Sequence, residues 1–192
     1  SPSFSYSPAT YCQSASDPSP VFGAGGAAGT FTSTSGLSLN STNGVVDVSA
    51  SSAGVYTVTN TIAASGSCPS ATATASITIV ATPSTPTATA TTPVCTGDPI
   101  NLSTASVTGG TYNWIYPSGT TSTQQNPVIA SAAGTDAGIY YLVVTVNGCP
   151  SAMAATSPVT VYTTPAAPAI TSNAPVCSGS TLNLSTAIVS GT

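Results

Sequence analysis

The chain of 192 residues contains no Lys, no Arg, no His and no Glu, and its only ionised side chains are Asp17, Asp47, Asp98 and Asp136. Each absence removes a class of function. Nucleic-acid binding rests on cations that neutralise phosphates, and none is present. An anionic membrane surface is a poor partner for the same reason. Without His, neither a Ser-His-Asp nor a Cys-His nucleophilic unit can be assembled. Four separated Asp leave almost nothing for acid–base chemistry. Zinc needs His or clustered Cys, and calcium loops need densely spaced carboxylates; neither pattern occurs. No Gly-rich loop is followed by a Lys, so a phosphate-cradling P-loop is missing. The sequence therefore predicts a protein that is not an enzyme and holds no metal or other cofactor. Salt bridges between side chains are impossible, so stability has to come from burial, hydrogen bonds and covalent ties.

What the chain does contain is 41% hydrophobic residues, enough for packed cores. Roughly a third of the residues are Ser or Thr. Low charge with many β-branched residues points to thin β-sandwiches with hydroxyl-covered surfaces, not to charge-driven disorder. Five Cys with no zinc pattern indicate an oxidising, extracellular or cell-surface location. No apolar run approaches the ~20 residues needed to span a bilayer, so no membrane insertion is expected.

An internal repeat organises the sequence. Cys12, Cys95 and Cys177 recur at intervals of 83 and 82 residues, and Cys68 and Cys149 lie 81 apart. Pro93-Val94-Cys95-Thr96-Gly97 returns as Pro175-Val176-Cys177-Ser178-Gly179, and Ile100-Asn101-Leu102-Ser103-Thr104-Ala105 as Leu182-Asn183-Leu184-Ser185-Thr186-Ala187. Fixed self-similarity of this kind means a tandem array. The expected units are residues 1–82, 83–164 and 165–192, the last carrying only the first strands of a truncated repeat. Either the third unit is cut from a longer array or another chain completes it by strand addition. Pro83 and Pro86 between the first two units predict a short, semi-rigid joint.

Within the units the apolar pattern has period two. Phe4 and Tyr6, Thr30-Phe31-Thr32, Tyr56 to Ile62, Ala71 to Val80, Ile100 to Thr104 and Tyr112 to Tyr116 read as strands. Asn43-Gly44 is a hairpin signal before Val45-Val46-Asp47-Val48. Gly23 to Gly29 reads as a flexible loop of small residues.

Two further stretches share one phrase. Asp136-Ala137-Gly138-Ile139-Tyr140 opens a strand ending at Asn147-Gly148-Cys149, and Ala53-Gly54-Val55-Tyr56 opens one leading to Cys68. Asp-x-Gly-x-Tyr resembles the tyrosine corner of immunoglobulin-like sandwiches, in which a Tyr opening the sixth strand bonds back to nearby backbone. Asp136, Gly138 and Tyr140, with Gly54 and Tyr56, are the candidate corners. Together with Pro-Val-Cys-x-Gly and Tyr112-Asn113-Trp114, this phrase resembles the Ig-like and PKD-like repeats of large secreted surface proteins of Bacteroidota, gliding-motility-type adhesins among them. The PKD signature after Trp is replaced by Ile115-Tyr116-Pro117-Ser118-Gly119, so the Ig-like branch fits better. The resemblance implies an all-β fold of tandem Ig-like sandwiches of about 82 residues, and a stalk, spacer or fibre role without catalytic residues.

The cysteines Cys12, Cys68, Cys95, Cys149 and Cys177 allow two schemes. Pairing inside repeats gives Cys12–Cys68 and Cys95–Cys149. Pairing between repeats gives Cys12–Cys149 and leaves Cys95 and Cys177 for later repeats. In the Ig-like topology Cys95 precedes the second strand and Cys149 follows the sixth. Those two strands run the same way, so the two cysteines lie at opposite poles. A strand of ~7 residues spans ~23 Å, whereas disulfide Cα atoms lie within ~7 Å; on this topology the pairing inside repeats fails.

Tyr112, Trp114 and Tyr116 share one face of their strand. They are either a sugar-stacking platform or core residues. The leading function is thus a structural segment of an extracellular repeat protein, an adhesin stalk or filament shaft that contacts its neighbouring repeats and other copies. The alternatives are a carbohydrate-binding module for surface carbohydrate and an accessory domain of a secreted hydrolase.

Overall fold

The computed structural model describes residues 1–187, so residues 188–192 of the expected third unit lie outside the described residues. Among the described residues there is no α-helix; a single 3-10 turn spans Gly134–Asp136.

The first sandwich contains β1 (Phe4–Ser5), β2 (Thr10–Cys12), β3 (Val21–Phe22), β4 (Thr30–Ser33), β5 (Ser38–Leu39), β6 (Val46–Asp47), β7 (Gly54–Ile62) and β8 (Ala71–Val80). One sheet has the order β2-β8-β7-β4, with β2 parallel to β8 and the other pairs antiparallel. The facing layer is built from the β1–β3 and β5–β6 pairs. The Val46 N–H, donating to the Pro18 carbonyl at 3.1 Å, ties β6 to the chain just before β3. Alternation along β7 sends Tyr56, Val58 and Asn60 inward, where the two apolar residues meet Phe31, Val46, Ile77 and Ile79.

The second sandwich contains β9 (Thr89–Ala90), β10 (Val94–Cys95), β11 (Ile100–Ser103), β12 (Gly110–Ile115), β13 (Thr121–Ser122), β14 (Val128–Ile129), β15 (Tyr141–Val146), β16 (Cys149–Pro150), β17 (Ala154–Ala155) and β18 (Val161–Tyr162). One sheet has the order β14-β11-β9. The other has β13, β12 and β15 side by side, with β16 and β17 both pairing with the far edge of β15. β10 runs parallel to β18, repeating the β2–β8 arrangement. Trp114, Tyr140, Leu142, Ile100 and Leu102 form its core. The two cores share no residue.

Beyond them lie β19 (Ile170–Ser172) and β20 (Leu184–Thr186), paired antiparallel. The register of β9 on β11, Thr89 opposite Ser103, returns 82 residues later as Thr171 opposite Ser185. Even the hydroxyl pair is repeated, at 2.7 Å in both copies.

Candidate functional site

The junction between the two sandwiches is built from one strand end and one hairpin. Cys12 closes β2, and the parallel register sets it beside Val80 at the end of β8. The Gln13 N–H donates to the Val80 carbonyl at 3.0 Å, and the Ser14 N–H to the Thr82 hydroxyl at 3.0 Å. Cys12 therefore sits at the pole from which the chain leaves the first sandwich. Cys149 follows a two-residue hairpin. Asn147 (φ 50°) and Gly148 (φ 81°) both take the left-handed conformation that such turns require and that these residue types accept most cheaply. Val146 pairs with Cys149 and with Gly110, which follows the strand that ends at Ser103 opposite Thr89. Cys149 thus lies at the pole where the chain enters the second sandwich.

The two poles meet. Cys12 and Cys149 form a disulfide with Cα atoms 5.6 Å apart, closing 137 residues of sequence separation. Cys149 is buried there. The pairing inside repeats, Cys12–Cys68 and Cys95–Cys149, is corrected by this geometry. Cys68 lies in the turn between β7 and β8, at the far end of a nine-residue strand that spans roughly 30 Å. Cys95 pairs beside Tyr162 at the exit pole of the second sandwich, again opposite Cys149. Cys68, Cys95 and Cys177 are exposed and unpaired among the described residues.

The corner tyrosines fix each sandwich behind this junction. The Tyr140 hydroxyl donates to the Asp136 carbonyl at 2.7 Å, and the Tyr56 hydroxyl to the Ser52 carbonyl at 2.7 Å, each four residues upstream. The Asp136 carboxylate accepts the Ala133 N–H at 2.8 Å and so caps the 3-10 turn. Gly138 has φ 139°, and a Cβ there would press on the Pro117 ring. Tyr116 packs edge-on against Tyr140, with centroids 5.4 Å apart.

Burial pushes the Tyr140 hydroxyl up to about 12, with the Asp136 charge adding to it; burial, helped by Tyr11, does the same for Tyr6. Tyr6 donates to the Gly44 carbonyl at 2.6 Å. Both groups hold their protons more tightly folded than unfolded, so their stabilising effect is full below pH ~10 and is lost as pH rises toward about 12. Denaturant midpoints for both sandwiches should stay flat from neutral pH to ~9 and then fall steeply. A midpoint unchanged at pH 11 would contradict this assignment.

The aromatic trio does share one face, and that face points into the sandwich. Trp114 is fully buried, with its indole N–H donating to the Gln125 carbonyl at 3.0 Å. The Tyr112 hydroxyl accepts the Val107 N–H at 2.9 Å, and Tyr116 is spent on Tyr140. The sugar-platform reading of Tyr112, Trp114 and Tyr116 is therefore corrected: a sandwich this thin needs its largest side chains inside.

One polar side chain escaped the sequence reading. Asn60 is fully buried on β7. Its amide donates to the Pro2 carbonyl at 2.8 Å and the Ala27 carbonyl at 2.9 Å, and its oxygen accepts the Gly29 N–H at 2.8 Å. The loop expected to be flexible, Gly23 to Gly29, is thereby pinned. A Cβ on Gly29 would collide with the Thr61 carbonyl, which is why Gly stands there. The visible signal was an Asn continuing the inward series Tyr56, Val58.

A surface hollow between Asp17, Asn40, Asn43 and Asp47 has its carboxylates committed: Asp17 accepts the Val48 N–H, and Asp47 the Ser49 hydroxyl and Ala50 N–H. Among the described residues no three potential ligand side chains gather around a common point, and no helix is long and apolar enough to cross a membrane.

Residues 83–162 match the family described as "Ig-like domain CHU_C associated". No curated protein matches the chain. Among solved structures it is similar to murine CEACAM1b, at 12% identity and a TM-score of 0.46, over 84% of this chain and 99% of that one. It is also similar to the N-terminal four Ig domains of Dscam1 isoform 4.44, at 16% identity and a TM-score of 0.33, over 67% of this chain and 32% of that one. For Sidekick-1 immunoglobulin domains 1–5 the values are 12% and 0.31, over 68% and 30%. The chain spans about a third of the Dscam1 and Sidekick-1 structures. The fold is all-β and Ig-like.

Proposed function

We propose that this chain is a load-bearing segment of an extracellular structural or adhesion protein, a stalk or filament shaft divided into units 1–82, 83–164 and 165–192. The observation that carries the reading is the Cys12–Cys149 bond, which joins the exit pole of one sandwich to the entrance pole of the next. A bond in that place adds nothing to either core. Besides restricting the unfolded chain, it acts on the angle between them, which matters to a protein whose length and direction are its function. Cys95 occupies the exit pole of the second sandwich and Cys68 the entrance pole of the first, so both suit the same bond to further repeats, with Cys177 the counterpart of Cys95 one repeat on. A shaft without cations meets little electrostatic repulsion from its own copies and offers trypsin-like proteases no site.

Replacing Cys12 and Cys149 by Ser should lower the unfolding midpoints by way of the unfolded chain, which loses the closure of 137 residues of sequence separation, and not through lost core contacts. Small-angle scattering should also show a broader range of interdomain angles and a shorter mean length. Equal scattering curves for the two proteins would remove the mechanical role of the bond. For the function itself, electron micrographs of native material should show thin fibres with an axial repeat of one or two sandwich lengths. Compact particles would overturn the reading.

A further inference from the structure

The outward face of the larger sheet of the first sandwich carries a grid of hydroxyls. Along β7 it presents Thr57, Thr59 and Thr61, and along β8 Thr72, Thr74 and Ser76, all three pairs directly opposite each other in the register. β4 extends two of these rows, with Thr32 opposite Thr59 and Thr30 opposite Thr61. Thr34, just past β4, closes the third row by donating its N–H to the Thr57 carbonyl at 3.4 Å. The residues between them, such as Val58, Asn60 and Ala75, face inward. Neighbours lie ~4.8 Å apart across strands and ~6.8 Å apart along them.

Two contrasts make the grid specific. The matching face of the second sandwich has one hydroxyl pair, Thr111 opposite Thr145, and otherwise carries Asn113, Ile115, Tyr141 and Val143, so three consecutive hydroxyl rows are not repeated there. Elsewhere strand hydroxyls bond to neighbouring carbonyls, as Thr89 does to Ser103 and Thr111 to Thr145. Among the described residues the nine grid hydroxyls make no such bond to protein and remain with the solvent.

The chemistry of the face narrows its ligand. No carboxylate, amide or aromatic side chain stands among the nine, which removes the stacking and bidentate contacts that hold a sugar. A protein partner requires anchors that fill pockets, and the grid is shallow. A second copy of the same face would have to desolvate nine hydroxyls at about 1–3 kcal/mol each unless every one found a partner. Its patch of three strands by three rows is far below the ~800 Å² per partner of a stable interface. A ligand made of water escapes the desolvation cost, because each hydroxyl exchanges one water partner for another. Order is what the grid adds: hydroxyls fix lattice waters at regular intervals while the γ-methyl groups fill the spaces between. The twist of the sheet fans its transverse rows, so the straight double rank of β7 and β8 carries the match.

We propose that this face binds the surface of ice crystals. The proposal stands apart from the shaft reading, since a compact protein could carry the same face. The test uses the full 192-residue chain with Cys12–Cys149 oxidised, assayed for retention in slowly grown ice and for inhibition of ice recrystallisation. The chain should be enriched in the ice fraction and slow the coarsening of grains. Thr59→Tyr, at the centre of the grid, should lower the effective potency at least about tenfold with unchanged circular dichroism and melting. Thr74→Lys, on β8, provides a second folded variant with the same expected loss. Exclusion of the unmodified chain from ice overturns the proposal whatever the variants do. Full potency in both variants overturns it too, as would grid-dependent dimerisation or retention on an insoluble polysaccharide without any effect on ice.

Discussion

Trp114→Ala should unfold the second sandwich selectively. Truncating a fully buried large aromatic costs about 3–5 kcal/mol, and here the indole N–H bond to the Gln125 carbonyl goes with it. A unit of this size holds only about 4–12 kcal/mol at 0.05–0.15 per residue. Trp114 packs with Tyr140, Leu142, Ile100 and Leu102 from both sheets, so its loss separates the layers and leaves no neighbour placed to fill the space. The first sandwich, with its own core, should be unaffected. Hydrogen exchange resolved by peptide checks both halves of the statement: protection in β11, β12 and β15 should collapse while that in β7 and β8 persists. A loss below ~1 kcal/mol, or equal loss in both sandwiches, would contradict the separate cores. In the unmodified chain Trp114 is the single Trp, so its fluorescence reports the second sandwich alone.

Asn60→Ala should cost the first sandwich nearly as much by a different route. The substitution removes little apolar area. It orphans the Pro2 carbonyl in a buried position and the Gly29 N–H and Ala27 carbonyl in half-buried ones, where an unpaired group costs up to about 1–3 kcal/mol when water cannot reach it. Some of that is recovered as water enters, giving an expected net loss of roughly 3–5 kcal/mol. Asn60→Leu, which fills the space, should do no better, because the three backbone groups stay unpaired. Asn60→Asp keeps an acceptor for Gly29 but turns an oxygen toward two carbonyls, so at neutral pH it should be at least as damaging as Asn60→Ala. Denaturant titration measures the loss, and exchange at residues 1–5 and 23–29 locates it. If Asn60→Leu proved as stable as the parent chain, the clamp would be incidental.

The two halves of the molecule differ at this point in a way the sequence half-reveals. Tyr140, just before β15, and Leu142 and Val144 on it run apolar, whereas Tyr56, Val58 and Asn60 end in an amide on β7. An Asn at an inward position announces a buried polar group. It does not say which backbone atoms satisfy it, because those come from Pro2 and the 27–29 segment, thirty to sixty residues away in sequence.

Much of the architecture was legible in the chain itself. Period-two alternation fixed the long strands, since only that spacing puts Val58 and Tyr56, or Trp114 and Tyr112, on one face. The 82-residue recurrence of the cysteines marked the repeat, and strand direction alone set Cys12 and Cys68 at opposite poles, because a strand is longer than a disulfide can reach. Which face of a strand is the inside was not legible. Trp114 with its flanking tyrosines reads as core by the need of a small sandwich for large side chains, but the platform reading stays open until the opposite sheet is in place. Nor could the chain show that Cys12 and Cys149 come within 5.6 Å, since that depends on how two folded bodies meet across a short joint. The hydroxyl grid belongs to the same class: Thr at alternate positions is written in the sequence, but rows that line up across three strands exist only once the register is set. Local pattern follows from neighbours in sequence; registers, poles in contact and filled interiors follow from closure of the whole chain.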